Sequence, residues 1–458
     1  MKNAVKNNVV KKLFGTDGIR GKANQYPMTP EIALQVGKAV AKFFRKKNGK
    51  MHRIVIGKDT RLSGYMLETA LTSGIVSMGV DVLLVGPMPT PAIAKLTVSM
   101  NADAGIVLSA SHNPANDNGI KIFDSKGFKL DDASEHEIEK IIFNESGTLS
   151  GSERIGKAYR VNEAKGRYIE FAKSTIADRH LDGLKVVVDC ANGAAYSVAP
   201  QIFSELGAEV VAINTSPDGH NINLNCGALH PESMCDAVRG HKADLGVALD
   251  GDADRAVFCN EKGEIVNGDS VLGMAALELK KRNLLAKDTV VLTVMSNLGL
   301  LDFLKKNKIK YVAASVGDRY VIEEMEKGKY SFGGEQSGHL IFRDFSTTGD
   351  GIIAALQLMR LLKSTGKTLS QLTLDIGFYP QVLLNVKVKE KRPIKALPSV
   401  QKKIDSAEKK LGGNGRVFVR YSGTENIARV MVEGKSSKTV NEIAKEIADA
   451  IKKEVGVQ

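Results

Sequence analysis

Two hydroxyls, an imidazole and an amide crowd into Ser109-Ala110-Ser111-His112-Asn113-Pro114, directly after the apolar run Gly105-Ile106-Val107-Leu108 and shortly before Asn118-Gly119-Ile120-Lys121. Apolar β-formers that run into small polar residues and an Asn-Pro pair read as a strand ending in a tight, exposed turn. A hydroxyl offered there is a weak nucleophile at its own pKa and needs a base, a metal or a covalent modification beside it. His112 and Lys121 are the nearest candidates. Taken alone, the same residues are also ordinary turn formers.

A second cluster is more specific. Asp250-Gly251-Asp252-Ala253-Asp254-Arg255 follows the β-rich Leu245-Gly246-Val247-Ala248-Leu249. Carboxylates separated only by Gly and Ala converge on one side of an extended backbone, a hard-oxygen site suited to Mg²⁺ with positions open for a phosphate. Three such carboxylates repel one another without a cation. The rival is a calcium loop, with Glu261 at its twelfth position, but Arg255 occupies the sixth, where that loop requires Gly.

Three further loops carry polar chemistry of lower specificity. Phe14-Gly15-Thr16-Asp17-Gly18-Ile19-Arg20-Gly21 suits a backbone folded close to a ligand, with Arg20 as an anion fork, or a plain glycine-rich turn. Phe332-Gly333-Gly334-Glu335-Gln336-Ser337-Gly338-His339 sets an acceptor and a donor close together, as adjacent sugar hydroxyls demand. Arg420-Tyr421-Ser422-Gly423-Thr424-Glu425-Asn426 has the composition of a phosphate nest, or of an ordinary turn, and lacks the Gly-Lys-Ser/Thr ending of a Walker loop. Thr347-Thr348-Gly349-Asp350-Gly351 matches a dinucleotide fingerprint formally, yet no acidic residue follows at the right distance and no good strand precedes it, so that reading is rejected.

The elements that must position these loops repeat a pattern. Arg53 to Gly57 leads through a helix near Met66 to Met78 into Asp81 to Val85; Leu184 to Asp189 leads through a helix into Glu209 to Ile213; Thr289 to Val294 leads through a helix into Lys310 to Ala314. Such strand, helix, strand units build sheets flanked by helices. Thr29-Pro30 caps and starts an earlier helix that runs to about Lys47. The last portion differs: Gln381 to Val388 alternates as a half-buried strand, followed by a helix, two strands and a closing helix. Three related α/β domains plus a small β-α-β-β-α domain, joined near residues 370 to 380, are expected.

A chain of 458 residues is too long for one core and fits roughly three or four domains. Lys and Arg exceed Asp and Glu by 12, which raises nucleic acid or anionic metabolites as partners. The excess is dispersed, aromatics make up 5% and Trp is absent, so a nucleic-acid platform is not supported. Cys190, Cys226, Cys235 and Cys259 form neither a disulfide framework nor a zinc pattern and are expected as reduced thiols in the cytoplasm. No targeting segment or bilayer-length apolar run is read.

The loops occur in the order hydroxyl, acidic cluster, Glu-Ser loop, arginine loop. That order, with Phe14 to Gly21, Ser109 to Pro114, Asp250 to Arg255, Gly334 to His339 and Arg420 to Glu425, resembles the α-D-phosphohexomutase superfamily over essentially the whole chain. Gln336 points to the branch that acts on glucosamine phosphates, since the phosphomannomutase and phosphoglucomutase branch, the alternative reading, commonly has Met there. The resemblance implies an α/β fold: three domains with mixed sheets flanked by helices and a smaller C-terminal α+β domain around a central cleft. Expected boundaries are 1–158 with the phosphoserine loop, 159–260 with the metal loop, 261–372 with the sugar loop and 373–458 with the phosphate loop.

It also implies roles. Ser111, rather than Ser109, carries a phosphoryl group, and Asp250, Asp252 and Asp254 join it in binding one Mg²⁺. Glu335 and Ser337 meet the sugar hydroxyls, while Arg420, Ser422, Gly423, Thr424 and Arg429 hold the non-reacting phosphate. Asn426-Ile427 departs from the family, in which Pro more usually follows Gly-Thr-Glu. Phosphoserine would convert glucosamine 6-phosphate to glucosamine 1-phosphate through a 1,6-bisphosphate, feeding UDP-N-acetylglucosamine and cell-wall synthesis. Arg255 neutralises charge, His112 and Arg20 steady the phosphoserine, and Lys121, its pKa lowered near Mg²⁺ and Arg, is favoured over His339 as the base. A homodimer and a kinase or bisphosphate that primes Ser111 are expected by resemblance; nucleic acid and membrane are not expected as partners.

Overall fold

The β-branched runs are where the strands form, and each is buried by helices on its flanks. The computed structural model describes residues 13–15, 17–45, 52–144, 149–176, 180–422 and 426–457. It divides into two compact units, Met1–Val294 with Lys310–Thr373, and Met295–Ile309 with Leu374–Gln458.

The first unit contains three sheets. In the largest, the strands lie in the order Phe14–Gly15, Gly18–Lys22, Asp117–Asp124, Ala104–Leu108, Arg53–Lys58, Asp81–Pro87, Ala158–Arg160. Arg53–Lys58 is parallel to both of its neighbours, whereas Asp117–Asp124 runs antiparallel between Ala104–Leu108 and Gly18–Lys22. Buried throughout, Ala104–Leu108 reads as a continuous apolar run, as expected of a strand covered on both faces. The second sheet runs Ile265–Val266, Ala256–Asn260, Leu245–Leu249, Lys185–Asp189, Glu209–Ile213, and the third Lys310–Ala314, Thr289–Thr293, Phe332–Gly334, Leu340–Phe342.

All three strand, helix, strand units form with parallel strands, Ile54 beside Val82, Val187 beside Val211 and Val291 beside Val312. The expected early helix spans Pro30–Phe44, with Thr29 Oγ1 accepting from the Ile32 N–H; the stretch assigned to its end at Lys47 lies outside the described residues. Helices over Thr90–Ser99, Asp132–Asn144, Ala164–Ser174, Glu232–His241, Gly268–Lys281 and Asp318–Gly328 add layers that the repeat pattern did not disclose.

The second unit folds a three-stranded antiparallel sheet, Gln381–Lys387, Ile427–Gly434, Gly415–Tyr421, under Pro398–Leu411 and Ser437–Val455. Val440, Ile443, Ala444, Ile447 and Ile451 supply the helical stripe that meets Val430 and Val432 of the sheet. Leu298–Lys306, the helix between the strands Thr289–Thr293 and Lys310–Ala314, also belongs to this unit. Among the described residues, no helix is long and apolar enough to cross a membrane.

Candidate active site

Ser111 follows the buried strand Ala104–Leu108 and holds φ at +52°, a left-handed conformation uncommon for a residue with a side chain. Its surroundings compensate. The Ser111 N–H donates to Ser109 Oγ at 2.9 Å, and its carbonyl accepts from Arg61 Nη2 at 3.2 Å and Asn223 Nδ2 at 2.9 Å. Arg61, fully buried and paired with Asp59, also donates to the Asn113 carbonyl at 2.5 Å. The loop is thereby fixed from two other stretches of chain, one following the strand Arg53–Lys58 and one following Glu209–Ile213.

The hydroxyl that this conformation presents meets the acidic cluster. Ser111 Oγ donates to Asp250 Oδ2 at 2.6 Å, accepts from Arg255 Nη1 at 3.0 Å and lies 3.3 Å from His112 Nδ1. Burial, then the Asp254 and Asp252 charges, push the Asp250 carboxyl up to about 8. Burial, then Arg255 and Arg20, push the His112 imidazole down to about 4, so the ring is neutral beside Ser111 at pH 7.

Asp250, Asp252 and Asp254 are all buried and each offers an oxygen within 4.8 Å of the others'. Thr90 Oγ1 at 2.6 Å and Lys121 Nζ at 2.8 Å both donate to Oδ2 of Asp252, leaving its Oδ1 and Oδ1 of Asp254 buried without a hydrogen-bond partner. Orphaned carboxylate oxygens in a hard-oxygen triad fit a divalent cation such as Mg²⁺.

Around this centre runs a closed circuit in which carboxylates alternate with Lys121, Lys129 and the His339 imidazole. Lys121 Nζ lies 3.5 Å from Asp254 and 3.3 Å from Asp17. Lys129 Nζ joins Asp17 at 2.6 Å to Asp318 at 2.5 Å, and His339 bridges Asp318 and Asp254 at 3.6 Å on either side. Asp254 and Asp318 favour a charged imidazole, whereas the Gly349 N–H donates to His339 Nε2 at 3.0 Å. A fixed backbone donor decides for the neutral ring, with that nitrogen already occupied. Burial acts to lower the Lys121 ammonium, but Asp17, Asp252 and Asp254 outweigh it and raise it. The charged groups of the protein nearest Lys121 are carboxylates rather than arginines.

The glycine-rich loop is positioned by its own strand turn. Glu335 Oε1 accepts from the Gly317 N–H at 2.9 Å, and Ser337 is exposed. In the C-terminal unit, Arg420 and Arg429 stand directly opposite each other across antiparallel strands. Like charges directly opposite each other on antiparallel strands are destabilising. Ser422 is buried beside them, while Gly423 and Thr424 lie outside the described residues.

Residues 11–148, 166–263, 267–376 and 383–450 match domains I, II, III and the C-terminal domain of the phosphoglucomutase/phosphomannomutase family. A phosphoglucosamine mutase of Anaeromyxobacter is 56% identical over 98% of this chain and 97% of its own length, and one of Syntrophotalea carbinolica is 54% identical over 98% and 99%. The chain belongs to the phosphoglucosamine mutases, within the phosphohexomutase family. Among solved structures, a phosphoglucomutase/phosphomannomutase family protein of Burkholderia thailandensis is 23% identical with a TM-score of 0.82, covering 98% of this chain and all of that one. An N-acetylphosphoglucosamine mutase of Aspergillus fumigatus, solved with GlcNAc-6P and magnesium, shares the fold at 18% identity and a TM-score of 0.67, over 96% of each chain.

The structure brings Ser111, His112, Lys121, Arg20, Arg255, His339 and the three aspartates of this family member into one site within the first unit. Sequence reasoning missed Asp17, Arg61, Thr90, Lys129, Asn223 and Asp318, which hold those groups in place. Asp17 alone carried a signal, being the acid of the glycine-rich stretch already singled out for Arg20.

Proposed function

We infer that this chain interconverts glucosamine 6-phosphate and glucosamine 1-phosphate through a phosphorylated Ser111 and a glucosamine 1,6-bisphosphate. The observation that carries the inference is the Ser111 hydroxyl set between Asp250 and Arg255, beside a neutral His112, in a chain more than half identical to phosphoglucosamine mutases.

Ser111 Oγ would give up its phosphoryl group as sugar O1 forms the new bond to phosphorus, the O1 proton passing to Lys121 in its uncharged amine form. After the bisphosphate reverses its orientation, Ser111 Oγ attacks the 6-phosphoryl group and O6 recovers a proton from Lys121. Arg255 Nη1, 3.0 Å from Oγ, stabilises the oxygen as the ester bond breaks and forms. Mg²⁺ held by Asp250, Asp252 and Asp254 with the Ser111 group would neutralise charge on the transferred phosphoryl and draw on the carboxylates that keep Lys121 charged. His339 is less suited as the base because its Nε2 already accepts from Gly349. Glu335 and Ser337 are assigned to the sugar hydroxyls. Arg420, Ser422, Gly423, Thr424 and Arg429 are assigned to the non-reacting phosphate, supported by the opposed arginines. All four cysteines are free and buried, which supports a reducing compartment, the cytoplasm.

Intact mass and Mg²⁺-dependent turnover of glucosamine 6-phosphate, for the wild type and Ser111→Ala, test the reading. A phosphoryl mass increment and turnover should both vanish in the variant. Turnover that survives without Ser111 would move the chemistry to the aspartate loop. Competition among glucosamine, glucose and mannose 6-phosphates settles the sugar, with glucosamine expected to win.

A further inference from the structure

Arg20 of the glycine-rich Phe14–Gly21 stretch is expected to steady the phosphoserine, but the acid of that stretch, Asp17, has no task in the reaction. We propose that Asp17 is the positioning residue of the proton-transfer apparatus: its carboxylate holds Lys121 in place for the sugar hydroxyl and ties it to the sugar-binding loop through Lys129 and Asp318. The proposal rests on the mutase reading and on Lys121 as the base.

The backbone brings the two groups together by register. Ile19 pairs with Ile120 and Arg20 with Gly119 in antiparallel strands, so continuing the ladder sets Gly18 opposite Lys121. Gly18 has φ +79°, and a Cβ there would lie 2.3 Å from the Ile120 carbonyl oxygen. Only glycine lets the turn close this tightly, and the closure delivers Asp17 to the ammonium of Lys121 at 3.3 Å.

Asp17 differs from the other acids around Lys121. That side chain, 1% exposed, has three carboxylate partners, and two of them, Asp252 and Asp254, belong to the metal-binding triad. A cation on that triad competes with Lys121 for the same negative charge. Asp17 is outside the triad and keeps its hold whether or not the triad is engaged. A lysine stem has four rotatable bonds, and misplacement of a catalytic group by about 1 Å can cost on the order of 100-fold in rate, so an anchor independent of the metal has a clear use.

The same carboxylate also pairs with Arg20 and, at 2.6 Å, with Lys129. Lys129 passes the connection to Asp318, the first residue of the helix Asp318–Gly328. Its neighbour Gly317 donates its N–H to Glu335 Oε1, the acid assigned to the sugar hydroxyls. Three ion pairs and one hydrogen bond therefore join the base to the residue that orients its substrate.

The test compares wild type, Asp17→Asn, Asp17→Glu, Lys121→Ala and the Asp17→Asn/Lys121→Ala double variant in Mg²⁺-dependent turnover of glucosamine 6-phosphate. Asp17→Asn should lower kcat roughly 10- to 100-fold. KM and the phosphoserine content by mass should stay within about threefold of wild type. Asp17→Glu should recover most of the loss. The double variant should be no slower than Lys121→Ala, because the two residues act as one unit. A readout apart from activity is peptide-resolved acylation of Lys121 in the Mg²⁺-saturated, substrate-free protein, expected to quicken several-fold once its anchor is gone. Unchanged kcat in Asp17→Asn, a loss confined to KM, additive losses in the double variant, or a Glu variant no better than Asn would each overturn the proposal. Its failure is distinct from that of the underlying reading: a wild type without turnover sinks the mutase assignment, and full turnover in Lys121→Ala sinks the base.

Discussion

Arg61 shows how one side chain can determine the conformation of another. Its guanidinium is fully buried, pairs with Asp59, and donates to the carbonyls of Ser111 and Asn113 on the loop whose serine sits at positive φ. A planar fork with several fixed donors suits this; a single ammonium cannot reach an acid and two carbonyls in the same geometry. Arg61→Lys keeps the charge and so isolates the fork. It should cost about 1–2 kcal/mol of stability, through carbonyls that lose a donor from a charged group, and lower phosphoryl transfer on the order of tenfold. Urea denaturation and single-turnover loss of the phosphoserine check the two effects. A variant that loses stability but transfers phosphate at the wild-type rate would show that Asn223 alone, at 2.9 Å and 3.0 Å from the same two carbonyls, holds the loop.

At the scale of an element, the helix Gly351–Thr365 illustrates a cap that doubles as a titrating group. Asp350 accepts from the Ile352 and Ile353 N–H groups, satisfying donors that the first turn leaves free. Its carboxylate also accepts from the Tyr168 hydroxyl at 2.8 Å, which joins this helix to Ala164–Ser174. Burial nevertheless dominates these bonds and pushes the carboxyl up to about 6. A raised acid is ionised more easily in the unfolded chain than in the fold, so the folded state binds the extra proton between the two pKa values. Stability should therefore fall as pH rises from about 4 to about 6, by roughly 3 kcal/mol from this group alone, and the loss should level off above that window. Asp350→Asn retains the capping oxygen without the titration. Chemical denaturation at several pH values should give the variant a flatter profile across pH 4–6; parallel profiles would mean that other groups set the slope.

Across the whole molecule, legibility followed the range of the interaction. Val187 and Val291 announce buried parallel strands because β-branched residues in a run declare themselves locally, and Asp250 to Asp254 announce a cation site because the chemistry is confined to five consecutive residues. Thr90 could not be read in this way: it meets Asp252 across 162 residues of chain, and only the assembled sheets bring them together. The helix Leu298–Lys306 is the converse case. Its sequence places it inside a strand, helix, strand unit, yet it belongs to the compact unit of Leu374–Gln458. The reason lies in where its first turn finds partners. Glu433, fully buried, accepts from the Leu298 N–H at 2.7 Å and from Arg416 Nε at 2.7 Å, and Asn297 exchanges two hydrogen bonds with the backbone of Tyr379. Replacing Glu433 by Ala leaves a helix N–H and a partly buried guanidinium without that acceptor, a loss of about 1–3 kcal/mol. The loss should concentrate at residues 295–309, whose attachment depends on it, so limited proteolysis of the full chain should cut there several-fold faster while the sheets of the first unit keep their protection. Equal cleavage rates in wild type and Glu433→Ala would mean that apolar packing, rather than this buried acid, keeps the helix with the C-terminal unit.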